Sequence, residues 1–182
     1  EGGWSGGDVM NMTIGQGSLT ATPLQMATSY GALINGGTFY APRVVDEVVD
    51  IDGKVIYRNL PNAVRTIDIA PITVETLKED LNQVVAGPRG TARAAFADFC
   101  GPSVRAINCE SLQQVGGKTG TAEIRTELVE VEGEEELQEI EIDTAWFVGV
   151  APLDDPRYVV AIVIDEGGSG GGVAAPTARA IL

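Results

Sequence analysis

The segment "VGGKTGTAE", Val115 to Glu123, decides how this chain is read, because Gly-Lys-Thr occurs in two unrelated settings. In nucleotide hydrolases it closes a phosphate-binding loop. That loop needs a glycine five positions before the second one and must open directly into a helix whose N-terminus faces the phosphates. Here the required position is Leu112, and "TGTAEIRTELVEV" follows, with Gly120 and several β-branched residues. Such a run reads as a strand, and no second acidic strand to hold magnesium is evident. The phosphate-loop reading fails on both counts.

Working outward, the 182 residues suffice for one domain, burying roughly 70% of its unfolded surface. Apolar residues make up 44% and charged ones 21%, ordinary for a globular chain. No apolar run approaches the roughly 20 residues that cross a bilayer. The opening "EGGWSGGD" lacks the charged start and apolar stretch of a signal peptide and reads as a chain cut out of something longer. A formal charge of −14 repels polyanions, which argues against nucleic-acid binding. Histidine is absent, so no Ser-His-Asp triad, His-Glu-x-x-His zinc site or histidine proton shuttle can be built from this chain alone. No metal or cofactor is expected. Cys100 and Cys109 match no zinc spacing. Outside the cytoplasm they would close a loop as a disulfide, and inside it they would remain two thiols.

Residues 127 to 143 hold nine of the 26 acidic side chains and no basic one. They read either as a surface for a cation or partner, or as a solvated hairpin. In the second reading Val129, Val131, Ile140 and Ile142 alternate about a turn near Gly133. Elsewhere, Thr22, Pro23 and Gln25 mark a capped helix start, with Leu24, Ala27, Tyr30, Gly31 and Ile34 on one face and Gly36-Gly37 as the stop. "VVDEVVDIDGKVIYR" reads as a hairpin turning at Asp52-Gly53, and not as an EF-hand, because further oxygen ligands and the closing Glu are missing. A second helix is expected from near Thr73 to Gly87-Pro88. Ile72 would staple to Leu77, and Leu77, Leu81, Val84 and Val85 would form its buried stripe. A short helix is expected in "TARAAFADF", strands at 115–124, 144–151 and 158–165, a flexible turn in "EGGSGGG", and a final helix in "VAAPTARAIL".

In order along the chain come "WSGGDVMNMTIGQGSLTATPLQMATSYGALINGG", "PRVV", "GGKTGTAE", "DTAWFVGVAP" and "PRYVVAIVI". This series resembles the transpeptidase domain of penicillin-binding proteins, with Lys-Thr-Gly as one of the signatures. The "IGQG" form, with Trp-x-x-Gly-Asp before it, is most similar to the class B, elongation-type members. The resemblance implies an α+β fold: an antiparallel five-stranded sheet with helices on both faces and an all-helical subdomain alongside. The chain would be the C-terminal part of one such domain, residues 1–182, with the acidic hairpin 127–143 as an insertion. The helices at 22–35 and 73–86 would lie among the parts joining the subdomain to the sheet, and the last helix across one face of it.

The same resemblance implies a D,D-transpeptidase that crosslinks peptidoglycan stem peptides ending in D-alanyl-D-alanine through a serine acyl-enzyme and binds penicillins and other β-lactams. An edge strand can take up such a peptide by backbone pairing. Thr119 and Thr121 would hold the terminal carboxylate, Lys118 would supply positive potential, and Gly120 would let substrate approach the backbone. The Thr121 N–H would donate to the oxyanion, a contact worth about 3 kcal/mol in other acyl-transfer enzymes. The nucleophile motif Ser-x-x-Lys is missing: Ser5, Ser18, Ser29, Ser103, Ser111 and Ser169 all lack Lys three residues on. Ser-x-Asn is missing too, so the chain alone should be inactive and, with sheet edges exposed, poorly stable. The parent would be anchored by an N-terminal transmembrane helix, lie outside the cytoplasm and work beside a membrane glycosyltransferase. A β-lactamase or β-lactam sensor, or a non-catalytic pseudoenzyme, are the alternatives. The acidic hairpin would mildly affect access to the cleft, and the cysteine loop would brace the strand that follows it.

Overall fold

Along the computed structural model, which describes residues 3–17, 19–101, 109–129 and 137–182, the helices are α1 (Gly6–Thr13), α2 (Pro23–Ile34), α3 (Pro71–Val85), α4 (Glu110–Gln113) and α5 (Ala175–Arg179). Four short strands, β1 (Thr38–Tyr40), β2 (Glu47–Val49), β3 (Val55–Arg58) and β4 (Ala63–Thr66), form two antiparallel ribbons, β1 with β4 and β2 with β3. The longer strands β5 (Gly116–Val129), β6 (Gln138–Ala151) and β7 (Tyr158–Ile164) form one antiparallel sheet in the order β5-β6-β7. The fold class is α+β, with helices on both faces of that sheet.

The sheet is covered by two apolar layers. On one face Phe147 and Ala145 of β6 pack with Phe96, Leu112, Val85 and the α5 alanines Ala175 and Ala178. On the other, Val150 meets Ile34, Leu81 and Leu153, with Tyr30 and Val159 at the margin. Alternate residues of β6 therefore serve opposite cores, as the two-residue period of a strand requires. Helices α2 and α3 pack directly on the sheet, on β7 and β5 respectively, and so belong to its cover. The described residues contribute three strands of the five that the family resemblance implies.

Local chemistry explains most boundaries. The α2 capping box is complete: the Thr22 hydroxyl accepts from the Gln25 N–H at 3.2 Å, and Gln25 Oε1 accepts from the Thr22 N–H at 2.7 Å. Leu24, expected on the buried face, is exposed. The same capping device, Ser5 with Asp8, starts α1, and the backbone and hydroxyl hydrogen bonds from Ser5 hold the Asp8 carboxyl below its ordinary range. The β2–β3 hairpin turns at Asp52-Gly53, where the Asp50 carboxylate accepts from the N–H groups of Asp52 and Lys54.

Three expectations are corrected. Helix α3 begins at Pro71, with Ala70 preceding it and no side-chain cap, so Ile72 lies within the first turn, exposed, and cannot staple to Leu77. Proline at the first helical position set this start. The segment "TARAAFADF" is a series of turns rather than a helix. The Ala95 carbonyl accepts from Arg179 at 3.0 Å, and the Phe99 N–H bonds to Phe96 instead of reaching Ala95. Only the first part of "EGGSGGG" belongs to a turn, at Asp165 and Glu166. Ser169 caps a π-helical turn, Gly170–Ala174, that runs straight into α5.

Strands β5 and β6 run on beyond the expected 115–124 and 144–151 into the acidic arm, pairing as far as Val129 with Gln138. A bulge at Ile124 shifts the register, since Glu123 pairs with Asp143 and Arg125 with Ile142. Arg125 clamps this bend through Glu127 at 2.7 Å and Glu166 at 2.6 Å, and both partners push its pKa upward. The turn near Gly133, with Val131, lies outside the described residues. Cys100 and Cys109 are joined as a disulfide with Cα atoms 5.8 Å apart, and the Cys109 sulfur accepts from the Leu112 N–H ahead of β5.

Candidate active-site strand

β5 pairs with β6 along one edge only, and no strand lies along its other edge among the described residues. Its entry is pinned from below. The buried Asn82 side chain donates to the carbonyls of Leu112 at 3.0 Å, Gln113 at 3.3 Å and Val115 at 2.8 Å. Gly117 then lies over the ring of Phe147 so closely that any Cβ there would overlap its edge. The double glycine thus lets the core phenylalanine reach under the strand just before Lys118.

Alternation places Thr119 and Thr121 on one face of β5 and Lys118, Gly120 and Ala122 on the other. The Thr119 hydroxyl lies 2.7 Å from that of Thr91, in the turn segment. The Thr121 hydroxyl accepts from the Gly170 N–H at 3.4 Å, at the start of the C-terminal helical stretch. Gly120 faces Trp146 across the ladder. Lys118 Nζ donates to the Thr119 carbonyl at 2.6 Å, and Gln16 Nε2 donates to the Thr121 carbonyl at 3.1 Å. In an antiparallel ladder the N–H and C=O of one residue point to the same side. The Thr121 N–H therefore faces the open edge together with its carbonyl.

Beside this edge, on the α2 face, lies a cleft of about 400 Å³. Its walls are apolar, from Ile14, Leu19, Met26, Tyr30, Trp146 and Val148, and residues 118 to 122 line it along the strand. Burial pushes the Tyr30 phenol up. The arrangement can accept an extended chain along the strand, with hydroxyl donors on one side and an apolar wall on the other.

Lys118, Thr119, Gly120 and Thr121 thus come together on one open edge. Sequence reasoning missed Thr91, Asn82 and the Ser169–Gly172 turn as its supports. Gln16 sits inside the "IGQG" block and could have been flagged there, whereas Thr91 carries no local signal. Among the described residues, no group of three or more acidic, Cys or His side chains could hold a metal ion, and no helix is long and apolar enough to cross a membrane.

The chain is similar to a peptidoglycan D,D-transpeptidase, MrdA, of Haemophilus influenzae, with 33% identity over 98% of this chain and 26% of the relative. It is similar also to the penicillin-binding protein PbpB of Mycolicibacterium smegmatis, 34% identical over 95% of this chain and 25% of the relative. It spans about a quarter of these relatives' length. Among solved structures, the fold is shared with penicillin-binding protein A of M. tuberculosis as a ceftriaxone acyl-enzyme complex, with a TM-score of 0.69 and 24% identity over 96% of this chain and 34% of that one. Pseudomonas aeruginosa PBP2 in complex with WCK 5153 superposes with a TM-score of 0.64 and 31% identity, covering 97% of this chain and 32% of that one. The model of the penicillin binding protein transpeptidase domain matches residues 1–182, and the chain belongs to that family.

Proposed function

We propose that residues 1–182 are the C-terminal part of a class B, elongation-type D,D-transpeptidase domain and supply its substrate-binding strand. The observation that carries this reading is the open edge of β5. There the Thr121 N–H and C=O face outward, and the Thr119 and Thr121 hydroxyls share one side of the strand. A stem peptide ending in D-alanyl-D-alanine pairs along that edge. Its terminal carboxylate is held by the two threonine hydroxyls in the positive potential of Lys118. The scissile carbonyl then lies against the Thr121 N–H. A serine hydroxyl from a Ser-x-x-Lys segment outside this chain attacks that carbonyl and gives its proton to the lysine. The C–N bond breaks, D-alanine leaves with a proton, and an amine of a second stem peptide takes the acyl group and frees the serine. Gly120, opposite Trp146, keeps the strand backbone accessible beside the apolar cleft.

A β-lactam presents the same carboxylate and carbonyl, so it occupies the same edge and stays on the serine. The protein acts outside the cytoplasm, anchored by an N-terminal helix beside a membrane glycosyltransferase. The acidic arm modulates access to the cleft, and the Cys100–Cys109 loop braces the entry to β5.

The test is to label the protein expressed from its complete reading frame with a fluorescent penicillin and map the adduct by mass spectrometry. A stable adduct on a serine of Ser-x-x-Lys is expected. A folded protein that takes up no penicillin would make β5 a peptide-binding strand of a pseudoenzyme, and rapid turnover of the label would make the protein a β-lactamase.

A further inference from the structure

We infer that Thr91 is a positioning residue for the substrate carboxylate, acting through Thr119; the inference rests on the carboxylate-binding role proposed above. The two hydroxyls are 2.7 Å apart, a normal O–H···O distance, and either oxygen could be the donor. Chemistry decides the direction once a carboxylate is bound. An ionised carboxylate only accepts hydrogen bonds, and a threonine hydroxyl has one proton to give. For Thr119 to donate to the carboxylate, the bond between the threonines must run from Thr91 to Thr119. Thr91 thus fixes the Thr119 rotor with its proton aimed at the ligand and polarises it further, since a hydroxyl that accepts one bond donates a stronger one. Without Thr91, the Thr119 hydroxyl rotates freely or spends its proton on water.

The backbone is built to hold this arrangement. The Ala92 N–H is bonded to the Val84 carbonyl at 3.0 Å, and Ala92 itself is fully buried. On the other side Gly171 lies against the Thr91 carbonyl with no room for a Cβ. Thr91 is thus an exposed side chain on an immobilised backbone, separated by 28 residues from its partner and bonded to it. Its methyl and hydroxyl fill no core space, so replacing it perturbs the hydroxyl pair before it perturbs packing.

The test uses the intact protein and benzylpenicillin, with the second-order acylation rate as the readout. Thr91→Val keeps the shape and removes the proton. It should slow acylation roughly five- to tenfold, the size of one hydrogen bond, while Thr91→Ser stays within about twofold of the parent. In a Thr119→Val background, Thr91→Val should have no further effect. With the methyl ester of benzylpenicillin, which lacks the carboxylate charge, the difference between parent and Thr91→Val should vanish. A Thr91→Val loss that persists in the Thr119→Val background or with the ester would overturn the inference and leave a merely structural role. So would an unchanged rate in Thr91→Val. If Thr91→Val does not fold, Thr91→Ala answers the same cycle. An intact parent that takes up no penicillin on a serine would sink the proposed function, and this inference with it; an acylated parent indifferent to position 91 would sink the inference alone.

Discussion

Replacing the three glycines that open the C-terminal helical stretch, one at a time, by alanine separates packing from propensity. On propensity alone each change should stabilise, because alanine is favoured over glycine in a helix by about 1 kcal/mol. The structure orders them differently. A Cβ on Gly170 would lie 2.3 Å from the Trp146 carbonyl oxygen and 2.4 Å from that of Gly120, both backbone atoms of the sheet. Relief requires the helix start to move away by roughly 1 Å, a strain that we set at about 3 kcal/mol, the upper end for an overpacked site. After the propensity gain, Gly170→Ala should cost about 2 kcal/mol net. Gly171→Ala meets the Thr91 carbonyl at 2.3 Å, on a backbone held by the Ala92–Val84 hydrogen bond, and should likewise cost about 2 kcal/mol net. Gly172→Ala meets only the Ser169 hydroxyl at 2.8 Å. Losing that cap, about 1 kcal/mol, offsets the propensity gain, so the variant should lie within about 0.5 kcal/mol of the parent. The assay is urea unfolding of the intact transpeptidase domain, followed by tryptophan fluorescence, since Trp146 sits at the contact. If all three variants matched or exceeded the parent in stability, the close approach of this turn to β5 would be refuted.

Asn82→Leu should destabilise the same domain by about 2 kcal/mol, because it leaves the buried carbonyls ahead of β5 without their shared donor. Chemical denaturation checks this, and a midpoint shift below a quarter of that size would refute the bridging role. Cys100→Ser with Cys109→Ser should cost about 2.7 kcal/mol by loop-closure entropy. Non-reduced mass spectrometry of the parent should show two daltons less than the dithiol mass, and stability of the parent unchanged by reductant would count against the bond.

Much of this fold was legible because local chemistry and tertiary packing agree there. The Thr22–Gln25 capping box, the Asp52-Gly53 turn and the three strands about Lys-Thr-Gly all obey patterns that act within a few residues. Two of the failures share a cause, while the start of α3 follows a local proline signal. At 91–100 the apolar spacing of Ala92, Ala95 and Phe96 does mark the buried side, but the Phe99 N–H turns back to Phe96 and the Ala95 carbonyl is bonded by Arg179, distant in sequence. In "GGSGGG" the glycines signal flexibility to a local reading. Gly170 and Gly171 instead let a capped turn touch the backbone of two strands and of Thr91, which only the assembled sheet reveals. The candidate site divides in the same way: Lys118, Thr119, Gly120 and Thr121 are contiguous and could be named from the sequence, while Thr91, Asn82 and the Ser169–Gly172 turn reach them only through space.

That division bears on how an open strand edge can persist. An unpaired row of N–H and C=O groups invites pairing with any passing strand. Here the Thr119 and Thr121 carbonyls on the open edge are engaged by side chains of the same molecule, Lys118 Nζ and Gln16 Nε2. Each contact is exposed, so each is worth only about 1 kcal/mol net. A ligand that brings its own donor along the edge exchanges one such bond for another at little cost. A random strand meets the same exchange without the carboxylate that the proposed function places between the Thr119 and Thr121 hydroxyls. On the proposed function, selectivity for a carboxylate-terminated chain would reside less in the pairing than in the hydroxyls. Both hydroxyls are bonded from outside β5, that of Thr119 to Thr91 and that of Thr121 to the Gly170 N–H.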